Sequence, residues 1–435
     1  MRIQHLCLVL LAAACVPQPE TRVDQRSADE KIAQRDNPAH LLAALGLPTR
    51  WLLSDVISTA EVGRFYKTSR VPYPDDFWPY DFGGIDANWN WKSRASPLQK
   101  YMAVFSPHNS AAAASWENRW HGLGLPNLAH WMGHCNGWVA AAISNDPLSG
   151  PINVKRTERG VASCTLGEIG CVHFEIGDIN ALEAEAYFDA PSVLIGARCD
   201  ARSETITHAS GGRIQRKNGC QGLNAGSLLV LLANMIKFQD RPIALDIQDI
   251  RATEEIWNQP VFGYTVYASR PLALSEASDL VWHGSNHYPW NESAQGFVFV
   301  NLGISYVNEV APSTEVVDGM EAQKELRVAA VIELDADPSN PNAHIIGGEY
   351  VDAPSLRARR LDVPPFAWVP LGVASVDLPP STTDNMSRNP YVKPRNVTSL
   401  IALAQGRVSE VEMDAVDEAV ADSADTGDEP LDVEN

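Results

Sequence analysis

"WMGHCNGWVAAAI" (Trp131–Ile143) sets a cysteine between a polar, glycine-containing turn and an apolar run. Cys135 is followed by Asn136 and Gly137, then by "WVAAAI", good helix material with Pro147 beyond its end. That order predicts a helix starting at or near Cys135. At a helix start the N–H groups lack intrahelical acceptors, and the macrodipole favours thiolate over thiol. The same N–H groups can bind a developing oxyanion. Taken alone, the stretch favours a buried, inert cysteine over a nucleophile.

Export makes the other cysteines informative. The chain opens "MRIQHLCLVLLAAACVPQPE", with Arg2 as a short basic region, Leu6 to Ala14 as an apolar one, and a small-residue processing site. "LLAAAC" resembles a bacterial lipoprotein signal in which Cys15 becomes the lipidated first residue, although Ala12 stands where leucine is usual. Simple secretion is the alternative, and the location expected is bacterial outer membrane, periplasm or cell surface, or outside the cell. Residues 16–38 then read as a flexible tether. After Cys15 there remain Cys135, Cys164, Cys171, Cys199 and Cys220. Cys164 and Cys171 bracket a short loop, and Cys199 and Cys220 bracket a polar insertion, so each pair is a disulfide candidate. That pairing leaves Cys135 over.

At 435 residues, 45% hydrophobic and 20% charged, the chain has ordinary globular composition and room for more than one domain. The net charge of −20 is concentrated at one end: Glu410 to Asn435 carries eleven acids and no Lys or Arg. The rest has 43 acids against 34 bases, so the acidity argues against a nucleic-acid partner and marks residues 408–435 as an unstructured tail. Residues 39–100 read as an N-terminal portion. It carries helical spacing in "HLLAALGL" and "LLSDVISTAEVGRFY", then an irregular Trp-rich segment, "FWPYDFGGIDANWNW". Ser96 and Pro97 mark a helix entry. "DINALEAEAYFD" reads as a short amphipathic helix with Asp178 near its start, and "NAGSLLVLLANMI" as a helix or strand. "PIALDIQDI" alternates like a strand, and strands dominate after "EEIWNQPVFGYTVYAS". Helices first and antiparallel-type strands later predict an α+β fold.

Five blocks resemble the transglutaminase elicitor family, secreted transglutaminases of water moulds and their bacterial relatives. They are "WPYDFGGIDANWNW" with "SPLQKY", "GHCNGWVAAAI", "VHFEIGDINALEAEAYFD", "EIWNQPVFGY", and "HIIGGEYVDAP…PPFAWVPLG…NPYV", in order over roughly residues 70 to 400. The resemblance implies a cysteine-protease/transglutaminase-like core over residues 101–407, with a nucleophile-bearing helix packed on an antiparallel sheet. It implies acyl transfer. The Cys135 thiolate attacks a peptide glutamine amide, releases ammonia, and passes the γ-glutamyl group from its thioester to a lysine or other amine. Asp246 takes the supporting carboxylate position and Asn258, in the "WNQPV" signature, is a further catalytic candidate. Asn136, Trp138 and Trp120 are candidates for the oxyanion site and cleft. The histidine position of the family pattern is occupied here by Leu229, in "NAGSLLVLLANMI".

A cysteine without its base keeps the helix dipole but loses proton shuttling, commonly worth about 10²–10⁴ in rate. His208 in the polar insertion is one replacement; His283, His287 and His344 are others. His134 is a poor one, because its neighbour's thiol is hard to reach from the adjacent backbone. Three function readings stay open: a transglutaminase, a catalytically impaired relative that binds peptide or cell-wall material, and a thiol deamidase or protease. No cofactor is expected. "DADPSNPN" (Asp335–Asn342) has oxygen ligands for Ca²⁺ but lacks an EF-hand's glycine and terminal glutamate, which favours a solvated turn. Neither zinc-ligand spacing nor a phosphate-binding glycine loop is present. Trp78, Trp89, Trp91 and Trp116 join Trp120 as aromatic residues that line a cleft or fill the core.

Overall fold

Proline and polar caps write several of the helix starts. In α1 (Pro38–Ala44) the Asn37 side chain accepts from the Ala39 N–H. α2 (Leu53–Val56) is a single turn. α3 (Pro97–Phe105) has Pro97 at its first position and a capping box between Ser96 and Gln99. α4 (Ser110–Trp120) leads through a loop to α5 (Cys135–Ser144), so the helix does begin at the cysteine. Then follow α6 (Ile176–Ala186), α7 (Ala225–Leu232), α8 (Leu274–Trp282) and α9 (Pro394–Ala404). The computed structural model describes residues 36–57, 61–197, 203–207, 213–217, 222–247, 255–282, 288, 291–353 and 364–412. Among these, no helix is long and apolar enough to cross a membrane.

The strands run β1 (Phe65–Lys67), β2 (Ile152–Arg156), β3 (Gly160–Ser163), β4 (Val172–Phe174) and β5 (Ser192–Gly196). A hairpin of β6 (Ser203–Thr207) and β7 (Arg213–Lys217) precedes β8 (Ile243–Asp246) and β9 (Asn258–Leu272). β10 (Gly296–Val307), β11 (Gln323–Leu334), β12 (Ile345–Tyr350), β13 (Phe366–Pro370) and β14 (Glu410–Glu412) follow. The main antiparallel sheet has the order β12-β11-β10-β9-β8-β13-β5, with β1 beside β9. A smaller sheet, β14-β3-β2-β4, stands apart from it. The fold is α+β.

Two expectations need correction. "EVGRFY" does not continue a helix: its aromatic end is β1, paired with β9 at Phe65–Thr265 and Tyr66–Tyr264. The tail expected from residue 408 begins instead with β14, where Val411 pairs with Val161. Its alternating Glu-Val-Glu sequence suits a half-buried edge strand.

Strands β8 and β13 are buried along their whole length, because helices cover both faces. The period of two sorts their side chains. Ile243, Leu245, Ala367 and Val369 join one core with Leu228, Leu229 and Leu231 of α7. Ala244 and Trp368 join the other, with Trp138 and Val139 of α5 and Leu182 of α6. Asp246, two residues after Ala244, therefore shares the α5 side, and Asn258, its register partner on β9, faces the same way.

The helix α6 departs most from its sequence pattern. All eleven positions from Ile176 to Ala186 are buried, Asp178, Glu183 and Glu185 included. Asp178 pairs with Lys100 and accepts from the Trp89 indole N–H at 3.0 Å. Glu183 accepts from the Tyr73 hydroxyl, and Glu185 from the Asn389 backbone N–H. What reads as a solvated stripe is a polar seam between packed elements.

α5 lies directly against α6. A Cβ added at Gly137 would stand 1.8 Å from the Ala184 carbonyl oxygen, so the two backbones touch where any side chain would separate them. At the far end of α5, Arg70 donates to the Ala142, Ile143 and Asn145 carbonyls, closing the helix's C-terminal acceptors. We predict that Gly137→Ala destabilises the chain by more than the ~1–3 kcal/mol usual for core overpacking, read as a lower urea midpoint.

Glu333 on β11 is 3% exposed; it accepts from the Tyr288 hydroxyl at 2.7 Å and the Asn291 side-chain amide at 2.8 Å. Burial, reinforced by Glu349, pushes its carboxyl up to about 7. The folded state thus holds this proton where the unfolded chain releases it, and the associated stability is lost as pH rises through 7. Glu333→Gln should remove a decline on the order of 3 kcal/mol between pH 5 and pH 8, measured by urea unfolding across that range.

Candidate active site

Three segments converge on the first turn of α5. Cys135 is half-buried at its first position, and His134 precedes it as the N-cap residue. The Cys135 Sγ lies 4.0 Å from the Ile256 carbonyl oxygen and 4.0 Å from the Asn258 Nδ2. Asn258 is held from behind, its Oδ1 accepting from the Trp368 indole N–H at 2.9 Å. Asp246, 1% exposed at the end of β8, accepts from the Trp257 backbone N–H at 3.0 Å through Oδ1. This carboxylate fixes the segment 256–258 whose amide and carbonyl face the sulfur.

The rim is aromatic and acidic. Trp257 donates its indole N–H to Glu255 at 2.9 Å, and its ring meets Phe77 edge-on at 5.5 Å. Burial pushes the neighbouring Asp76 up to about 6. His130, an exposed imidazole five positions before Cys135, has Nε2 3.7 Å from Glu255 Oε1. Sequence reasoning missed His130; its signal was its place on the loop that ends in the nucleophile.

A family model described as transglutaminase elicitor matches residues 106–379. The chain belongs to that family. Among solved structures, the crystal structure of the GP42 transglutaminase from Phytophthora sojae is similar, at 19% identity and TM-score 0.62. The likeness covers 87% of this chain and 100% of that one, and it shows a shared fold. Comparison by sequence with curated proteins found no match.

Within this transglutaminase elicitor family member, the expected site residues separate into three groups. Cys135, Asp246 and Asn258 come together as described. Asn136 adjoins them, but its side-chain amide donates to the Phe188 carbonyl at 2.6 Å, leaving its backbone to face the site. Trp138 does not line a cleft: three residues on from the thiol, it is 1% exposed and its indole N–H donates to the Tyr73 carbonyl at 3.2 Å. Trp120 is half-buried, with the Arg119 guanidinium 5.2 Å from its ring centre. Trp78 and Trp116 are core residues, Trp89 serves Asp178, and Trp91 is exposed.

Leu229 is fully buried on α7, packed against the opposite face of the sheet from α5. His344 pairs with Asp335 at 3.1 Å in the turn after β11, and His134 turns inward, away from a shuttle role. Asp337 in the same turn accepts from Ser339, whose hydrogen bonds lower its carboxyl. The cysteines 164 and 171 are bonded. Cys15, Cys199, Cys220, His208, His283 and His287 lie outside the described residues.

Asp246→Ala leaves the part-buried Trp257 N–H without this acceptor. The expected cost is ~1–3 kcal/mol by thermal unfolding, with a changed rate of Cys135 alkylation by iodoacetamide because the 256–258 segment is no longer fixed.

Proposed function

We propose that this chain is a protein-glutamine γ-glutamyltransferase that works through Cys135. The carrying observation is that the sulfur sits at the start of α5 opposite Asn258, at the strand ends of β8 and β9 where Asp246 holds the backbone in place. The family membership and the transglutaminase named for the similar structure support the same reading.

In the first half-reaction the Cys135 sulfur bonds to the carbon of a peptide glutamine's side-chain amide. The C–N bond breaks, and nitrogen leaves as ammonia with the proton the thiol gave up. In the second half, an amine nitrogen attacks the thioester carbon, the C–S bond breaks, and the amine's proton returns to sulfur. The first amides of α5 would stabilise the oxyanion between these steps. Substrates are thus a glutamine-bearing peptide or protein and a lysine or other amine. With water as acceptor the product is glutamate, which is the deamidase outcome. Export with an N-terminal lipid at Cys15 would place the enzyme at a membrane surface; the Cys164–Cys171 disulfide supports an oxidising compartment.

One observation favours a second reading, that of an impaired binding relative. With Leu229 sealed in the core, no imidazole can reach the thiol from that position. A single assay decides between the readings: ammonia released from a glutamine peptide, with and without a primary amine. Ammonia matched by amine incorporation, abolished by Cys135→Ala, is the expected result. Ammonia without incorporation makes the chain a deamidase, and peptide binding without ammonia makes it a binder. Alanine at His130, His208, His283 or His287 should lower the rate by about 10²–10⁴ at the one histidine that carries the proton.

A further inference from the structure

Behind the nucleophile, four side chains with no solvent exposure turn their donor atoms to one point. Glu117 and His121 lie one helical turn apart at the end of α4, His134 directly precedes Cys135, and Glu185 comes from α6. His134 Nε2 is 3.1 Å from His121 Nδ1, 2.5 Å from Glu185 Oε2 and 3.7 Å from Glu117 Oε1. His121 Nδ1 is 3.5 Å from Glu185 Oε2 and 4.0 Å from Glu117 Oε2. All four donors lie within 4.8 Å of one another.

We propose that Glu117, His121, His134 and Glu185 form a closed site for a divalent first-row transition-metal ion that pins the loop carrying Cys135. The proposal stands whether or not Cys135 turns over. His134 Nδ1 faces the Trp78 carbonyl at 3.3 Å; a carbonyl only accepts, so the Nδ1–H tautomer suits this contact and turns Nε2 inward. There it meets Glu185 Oε2, a buried oxygen that makes no geometrically acceptable hydrogen bond. Two lone pairs at such a separation repel unless a proton or a metal cation lies between them. Tetrahedral zinc with bonds of about 2.0–2.2 Å has donor-to-donor edges of about 3.3–3.6 Å; the 3.5 and 3.7 Å separations match these, and the 2.5 and 3.1 Å ones open by up to about 1 Å when the ion enters.

The surroundings hold the donors in place as outer partners of a metal site do. Glu117 accepts from the Asn389 side-chain amide at 3.0 Å and the Ile85 N–H at 3.3 Å, and Glu185 from the Asn389 N–H. Tyr80, Trp116 and Phe188 pack their rings on His121, which leaves the cluster dry. A Cβ at Gly84 would stand 2.7 Å from Glu117 Oε1, so the backbone itself walls the cluster. Two imidazole nitrogens and two carboxylate oxygens suit Zn²⁺, Mn²⁺ or Fe²⁺ and disfavour Ca²⁺ and Mg²⁺. Four protein ligands without an open position describe a structural ion.

The full chain, produced without a histidine tag and dialysed free of loose metal, is tested by elemental mass spectrometry. About one Zn, Mn or Fe per chain is expected, or a raised melting temperature when Zn²⁺ is added to metal-free protein. Co²⁺-loaded protein should show the strong visible absorption of four-coordinate cobalt. Glu185→Gln and His121→Ala should lose metal at least tenfold, while His344→Ala at the exposed Asp335 pair retains it. Wild-type protein that holds no metal and gains no stability from Zn²⁺ overturns the proposal, leaving a protonated imidazole–carboxylate pair. So does metal that survives in Glu185→Gln, or a weak six-coordinate cobalt spectrum. Should His121→Ala fail to fold, the near-isosteric Glu185→Gln and the wild-type cobalt spectrum decide.

Discussion

The contact of α5 with α6 at Gly137 and Ala184 is the constraint on which the rest of this structure depends. With no side chain between them, the two backbones approach closely enough for Glu185 to reach His134, the residue that caps the nucleophile's helix. The same approach seats Trp138 and Val139 in the core shared with β8 and β13, which anchors the helix that begins at Cys135. Burying Trp and Val side chains is worth roughly 1.5–3 kcal/mol each. The position of the sulfur is thus maintained by packing well away from it.

The interior is unusually rich in carboxylates for a core of this kind. Asp178, Glu183, Glu185, Glu117 and Asp246 are all buried, and each has a partner. Leaving such a group unpaired costs several kcal/mol, so each one dictates which donor must stand beside it. These pairs fix which elements meet: α3 with α6 through Lys100, the 73–78 segment with α6 through Tyr73, and the 389 region with α4 and α6 through Asn389. The site is a product of that specificity.

Family membership and fold agree, and the chemical question narrows to proton transfer. Thiol and amide stand together on α5 and β9, with the Asp246 carboxylate holding the adjoining backbone, while Leu229 on α7 is hydrocarbon on the far side of the sheet. The loop ending at the nucleophile carries the exposed His130 imidazole, which stands beside Glu255.

Much of this was legible in the sequence. Local chemistry marked the start of α5 after "GH", the Ser96–Pro97 entry to α3, and the alternation of β8, because caps and periods depend on residues near in the chain. The α+β order also followed from the sequence, and the family resemblance singled out Cys135, Asp246 and Asn258. Tertiary structure alone decided the rest. "DINALEAEAYFD" has the pattern of a surface helix, and only packing on several sides turned its acids into a buried seam. Trp138 looked like a cleft residue, and only the packing of α5 against its neighbours placed it in the core. Glu117, His121, His134 and Glu185 come from three segments, and no local spacing joins them; what does is the depth at which α4, α5 and α6 meet.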